Sequence, residues 1–246
     1  MTRETGQMPP VVIILGMHRS GTSCLAGSLE EAGLYLGAVN KLAPHNAKGN
    51  QENAEIMKLH ESVLTSSGGS WDDPPRTAIW SGSDVARRQA IVASYPSGRP
   101  WGFKDPRTLL TLDGWLDALP AAHGVGTFRH PLAVARSLSA RNGFSQQKGL
   151  GLWLEYNRRL LHYQRRLDIG LVCFDWAVDR YHQALGRFAA ALGLAEPAQG
   201  FSFLDPALRR HQVPDSAELP DEVEATYRAL EEIAAGGEAG RRTAPA

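Results

Sequence analysis

The sequence predicts an α/β fold, a parallel sheet flanked by helices on both faces, and three observations carry that expectation. Short apolar runs alternate with segments of helical period through most of the chain. The first run, Val11-Val12-Ile13-Ile14-Leu15, is continuous and rich in β-branched residues, as a strand buried on both faces requires. A turn bounded by Gly16 and Gly21 then leads into a helical pattern, giving strand, turn, helix. Ligands of such sheets gather at the carboxyl ends of the strands, so the search for function begins there.

Residues 1–10 are polar, end in Pro9-Pro10 and read as a flexible lead-in. A helix over 21–32 follows the first strand: Leu25, Leu29 and Ala32 share one face, and Gly33 stands where a C-terminal cap belongs. After a polar loop over 40–50, Ile56, Leu59 and Val63 mark a second helix over 53–64, and 66–75 is again loop. Residues 101–104 read as a strand that Pro106 ends, and 125–128 as another, closed by Arg129-His130-Pro131. A helix over 131–140 begins with Pro131, a residue favoured in a first turn. A longer one over 150–167 carries Trp153, Tyr156, Leu160, Tyr163 and Leu167 at helical spacing, a stripe expected to face the core. Residues 170–174 form the last expected strand, followed by a helix over 178–192. The organisation expected is one α/β domain over 11–205 and a C-terminal tail over 206–246. That tail holds one helix near 217–235 and a disordered end from Gly236.

With 26 Lys+Arg against 26 Asp+Glu, the chain of 246 residues has no basic excess with which to coat a polyanion, so nucleic acid is not an expected partner. Any anion site has to be local. The two cysteines, Cys24 and Cys173, make no disulfide framework, and no Cys/His cluster has zinc spacing. Both read as buried, reduced thiols of a cytoplasmic protein. The first apolar run falls far short of the roughly 18 residues of a membrane span, and no signal peptide is visible. Oligomeric state is not legible.

The strongest local signal is Gly16-Met-His18-Arg19-Ser20-Gly21-Thr22-Ser23, set between the first strand and the first helix. Glycines at its ends let successive backbone N–H groups converge on an anion, and the helix N-terminus adds partial positive charge. The turn has the form of a phosphate cradle. Thr22 occupies the place where a nucleotide triphosphatase loop carries lysine, and the charge comes instead from Arg19, whose planar fork can grip two oxygens of a phosphate or sulfate. A strand, GxxRSGTS and a helix resemble the phosphosulfate loop of sulfotransferases that use 3'-phosphoadenosine 5'-phosphosulfate (PAPS), in particular their carbohydrate and tyrosyl-protein branches. The resemblance implies a P-loop-type sheet. It also implies that Gly16, His18, Arg19, Ser20, Gly21, Thr22 and Ser23 bind the cofactor.

Two further segments extend the resemblance in the right order. Phe128-Arg129-His130-Pro131 begins at a strand end and Ser137 follows eight residues after Arg129, matching the motif with which these enzymes hold the 3'-phosphate of PAPS. Trp101-Gly-Phe-Lys104-Asp105-Pro106-Arg107 is similar to the tyrosyl-protein segment whose lysine lies near the bridging oxygen of the transferred group. A fixed ammonium there opposes the negative charge that develops on the leaving oxygen, which makes Lys104, one of only five lysines, a catalytic candidate beside Arg19. The attacking hydroxyl also needs a proton acceptor. Glu52, in the Gly-x-x-Glu stretch Gly49-Asn50-Gln51-Glu52, is the first candidate, with Asp105 and His18 in reserve.

The sequence departs from the cytosolic aryl and steroid branch: it has neither the lysine-bearing first loop, nor a His two residues after Lys104, nor the late Gly-x-x-Gly-x-x-Lys loop. The resemblance spans about 11 to 194. It implies sulfuryl transfer from PAPS, without metal, to the hydroxyl of a sugar or other small metabolite. Trp71, Trp80 and Trp101 are either sugar-stacking residues or core, and Leu208-Arg209-Arg210-His211 either closes over the cofactor or is solvated. Two rivals stand beside this reading. Leu171-Val-Cys-Phe-Asp175 has the form of a strand ending in a Mg²⁺-organising acid, as in a P-loop kinase, and a non-catalytic binding module would keep the phosphate grips alone.

Overall fold

The computed structural model describes residues 9–43, 46–208 and 218–239. Four strands, β1 (Val11–Leu15), β2 (Trp101–Lys104), β3 (His123–Phe128) and β4 (Gly170–Cys173), form one wholly parallel sheet in the order β2-β1-β3-β4. Val12 to Leu15 are almost completely buried, as expected of a strand hydrogen-bonded on both edges and covered on both faces. The connection from β2 to β3 crosses β1, which opens a crevice at the carboxyl end of the sheet.

The helices are α1 (Thr22–Glu31), α2 (Ala54–Ser66), α3 (Gly82–Ala93), α4 (Thr108–Ala118), α5 (Pro131–Asn142), α6 (Gln146–Leu167), α7 (Val178–Ala191) and α8 (Asp221–Ala239). They flank the sheet on both faces, α1 packing with α7 and α6 with α8. Local chemistry sets their starts. Asn53 caps α2 by accepting from the N–H groups of Glu55 and Ile56, and Ser81 and Asp84 form a reciprocal capping box on α3. His130 Nδ1 accepts from the Leu132 N–H above Pro131 at the head of α5. The expected aromatic stripe of α6 does face the core: Trp153, Tyr156 and Leu160 are fully buried, with Trp153 Nε1 donating to the Arg129 carbonyl at 2.9 Å. Cys24 and Cys173 are buried and form no disulfide.

Three elements differ from expectation. Helix α3 had its signal in Ser81-x-x-Asp84, but its outer face is polar and its apolar stripe thin. Helix α4 is buried nearly all round, through Leu109, Leu110, Leu112, Trp115 and Leu116, so it shows no amphipathic period to read. Helix α8 continues through Gly236-Gly237 to Ala239, where disorder was expected from Gly236; two glycines cost a helix about 1 kcal/mol each and do not by themselves end it. Val223, Leu230 and Ala234 of α8 are buried in the core beside α6 and β4. The lead-in over 1–8, the basic positions Arg209, Arg210 and His211, and the end from 240 lie outside the described residues.

Candidate active site

The cradle is built by backbone geometry. Gly16 (φ +148°) and Gly21 (φ +86°) take conformations that side chains rarely adopt, and Arg19 between them is left-handed as well (φ +66°). Helix α1 starts at Gly21 with no side-chain cap, so the N–H groups of its first turn have no partner within the helix and point toward the crevice. Ser20 lies buried at the base of the turn, its carbonyl accepting from Thr127 Oγ1 of β3 at 3.0 Å. A Cβ on Gly21 would overlap the Phe174 ring just after β4. Gly21→Ala is therefore expected to deform the cradle, with about 1–2 kcal/mol of backbone strain before the clash is counted, and to abolish inorganic phosphate binding in a titration of the otherwise folded protein.

A cleft of about 470 Å³ opens above this turn, within the usual size of a small-molecule site. His18, Arg19, Gly21, Thr22 and Ser23 from the turn, Glu52 from the loop before α2, Lys104 from the end of β2, Arg129 from the end of β3 and Ser137 from α5 all line it. Gly16 and Ser20 stand behind the wall and shape the turn. Arg19 Nε donates to Ser137 Oγ at 2.8 Å, so the glycine-bounded turn and α5 meet directly.

At the centre, Lys104 Nζ donates to Glu52 Oε1 at 2.6 Å and to Ser23 Oγ at 3.3 Å, and Ser23 Oγ in turn donates to the Asn50 carbonyl at 2.8 Å. Lys104 is buried, and burial pulls its ammonium below the ordinary lysine range while the neighbouring Glu52 and Asp105 carboxylates oppose that fall. Gln51, buried and left-handed at φ +56°, fixes this loop: its amide donates to the Lys48 carbonyl at 2.7 Å and accepts from Lys41 Nζ at 3.0 Å.

The two reserve bases fare differently. Asp105 is fully buried and is not among the cleft residues. It accepts from the Arg107 N–H at 2.8 Å and from Arg107 Nη1 at 3.0 and 3.2 Å, and lies 3.4 Å from His60 Nδ1, whose Nε2 accepts from Trp115 Nε1 at 2.7 Å. Burial works against its charge, but His60 and Arg107 together hold the carboxyl well below the usual range. Its task is to anchor Arg107, a cleft residue to which sequence reasoning gave no part. His18 does face the cleft, packed at 4.5 Å on Trp71. Burial, followed by the charge of Arg107, holds its imidazole well below the ordinary value and therefore neutral.

Asp175 does not stand free at the strand end. Its Oδ1 accepts from Arg129 Nε at 3.0 Å and its Oδ2 from the His130 N–H at 2.9 Å, so one oxygen orients the Arg129 side chain and the other fixes the backbone at the head of α5. None of the three tryptophans lines the cleft: Trp101 stacks on Tyr95 at 4.2 Å, Trp80 meets Trp115 edge-on and Trp71 backs His18. One wall came from a distance. Phe203, Leu204 and Asp205 border the cleft, held there by Lys48 Nζ, which donates to the Phe203 carbonyl at 2.6 Å.

A glycine-bounded turn after the first strand of a parallel sheet, with cationic side chains at neighbouring strand ends lining one cleft, gives a P-loop-type α/β fold. The fold is that of sulfotransferases. The chain superposes on the sulfotransferase domain of the olefin synthase from Synechococcus PCC 7002 with a TM-score of 0.57 and 18% identity, covering 94% of this chain and 98% of that one. A sulfotransferase from Alicyclobacillus acidocaldarius is matched at a TM-score of 0.48 and 16% identity, over 94% of each chain. A retinol dehydratase in complex with androsterone and the inactive cofactor PAP is matched at 0.36 and 13%, over 91% of this chain and 64% of that one. No protein-family model and no curated protein matches the sequence.

Proposed function

We propose that the chain transfers a sulfuryl group from PAPS to the hydroxyl of a sugar or other small metabolite. The observation that carries this reading is the meeting of Arg19, Lys104, Arg129, Ser137 and Glu52, contributed by four separate segments, in one cleft of a sulfotransferase fold. The cleft fits such a donor: Gly21 lets the turn take its positive φ against the Phe174 ring, the first turn of α1 is uncapped, and Arg19, Arg107, Arg129 and Arg141 line the space.

Arg19 and the backbone N–H groups of Gly21 to Ser23 would hold the 5'-phosphosulfate, the Ser20 N–H donating instead to the Met17 carbonyl at 3.3 Å, while Arg129, oriented by Asp175, and Ser137 would hold the 3'-phosphate. Bound PAPS supplies the sulfuryl group and a phosphate as leaving group. Lys104 Nζ neutralises charge at the leaving oxygen, and Glu52 Oε1 takes the proton of the attacking hydroxyl. Side chains supply the positive charge that the reaction needs, so no metal is assigned a part. The two buried cysteines, neither of them in a disulfide, agree with a cytoplasmic location, and among the described residues no helix is long and apolar enough to cross a membrane. Incubation with sulfur-labelled PAPS and a mixture of small hydroxylated metabolites is expected to label an acceptor in the presence of a chelator. Phosphate transfer from ATP that requires Mg²⁺, with no label moved from PAPS, would overturn the proposal.

A further inference from the structure

Lys104 and Glu52 are the two groups to which the proposed reaction gives opposite tasks, yet they are joined to each other. Their contact is short, 2.6 Å, and both side chains are more than nine-tenths buried. In this state the carboxylate that should accept a proton is already neutralised, and the ammonium that should meet the leaving oxygen is already spent. Ser23 Oγ, 3.3 Å from Nζ, holds the ammonium toward the first turn of α1, on the phosphate side of the cleft. The proton of Ser23 is committed to the Asn50 carbonyl, so its lone pairs remain to receive Lys104. Lys104 is thus shared between a base on one side and the anion cradle on the other.

We infer that Glu52 and the nucleotide compete for Lys104, so that donor binding draws the ammonium toward Ser23 and the cradle and releases Glu52 to act as a base. This rests on the sulfuryl-transfer reading and adds an order to it: the proton acceptor becomes competent only in the donor-loaded protein, and the acceptor hydroxyl is engaged second. The physical ground is that a buried ammonium cannot be left unpaired cheaply. The nucleotide therefore has to replace the carboxylate that it displaces, and part of its binding free energy goes into breaking the pair.

The test is a double-mutant cycle on nucleotide affinity, which needs no knowledge of the acceptor. Adenosine 3',5'-bisphosphate is titrated calorimetrically into the wild type, Glu52→Gln, Lys104→Met and the double variant, each checked for an unchanged unfolding transition. Glu52→Gln is expected to bind about tenfold tighter than wild type, because Lys104 no longer has to be won from a carboxylate. In the Lys104→Met background the same substitution should gain clearly less, since only the simple repulsion between Glu52 and the nucleotide is then relieved. Equal gains in both backgrounds, or no gain in Glu52→Gln, would overturn the competition while leaving sulfuryl transfer intact. Failure of the wild type to bind the nucleotide would instead remove the reading on which it rests. A Glu52→Gln protein with a lowered unfolding transition would be replaced by Glu52→Asp, whose shorter carboxylate weakens the same contact and should tighten binding in the same direction.

Discussion

Lys104→Met is expected to lower the turnover number for sulfuryl transfer by about 10²–10³ while the protein stays folded. Methionine keeps the length and apolar stem of lysine, so the packing of β2 survives and only the ammonium is lost. That ammonium is buried at the mouth of the cradle, where the low dielectric strengthens its hold on developing negative charge. Its charge is also the reason for choosing methionine over alanine, which would add a cavity to the electrostatic loss. Steady-state kinetics with PAPS checks this result. A turnover number within a few-fold of wild type would remove Lys104 from the chemistry.

The second large effect is on stability. Asp105→Ala is expected to destabilise the fold by about 3–5 kcal/mol, because it strips the buried carboxylate from a guanidinium, whose remaining acidic contact is to the exposed Glu61, and from a buried imidazole at once. Arg107 would lose both contacts to the carboxylate as well as the acceptor for its own N–H, keeping its 3.1 Å ion pair with the exposed Glu61, and His60 would lose its acidic neighbour. For a chain of this size the loss corresponds to a fall of roughly 10 °C or more in the unfolding temperature, readable by calorimetry. The sign of the pH dependence follows from the same contacts. The folded-state carboxyl is held below its unfolded value, so its contribution is complete above the ordinary carboxylate range and is lost as the pH falls through that range toward the folded value. Wild type should lose stability on acidification over that interval, and Asp105→Ala should lose less.

Much of the site was legible because its parts are contiguous. The cradle is a single run of eight residues whose glycines must take positive φ, and its position after a β-branched strand follows from the order of residues alone. Lys104 and Arg129 were legible as charged residues at the ends of short strands, and the parallel sheet then brings strand ends together. What could not be read was pairing between segments. Nothing near Asp175 says that its oxygens serve Arg129 and His130, so it looked like a metal-organising acid. Nothing near Asp105 says that it faces inward to Arg107 and His60. Lys48 and Phe203 meet across 155 residues of chain, with no local pattern on either to announce it. Helix α4 escaped for the opposite reason: an element buried all round has no polar face to give it a period.

The central claim is that the cleft is shaped for a nucleotide carrying a 3'-phosphate, and direct binding tests it with least ambiguity. Adenosine 3',5'-bisphosphate and adenosine 5'-phosphate are titrated calorimetrically into the protein in the presence of a chelator, beside Arg129→Met. The account predicts tight binding of the bisphosphate at one site per chain, much weaker binding of the monophosphate, and loss of most of that difference in Arg129→Met. Equal affinity for the two nucleotides, or binding of ATP alone and only with Mg²⁺, would contradict it.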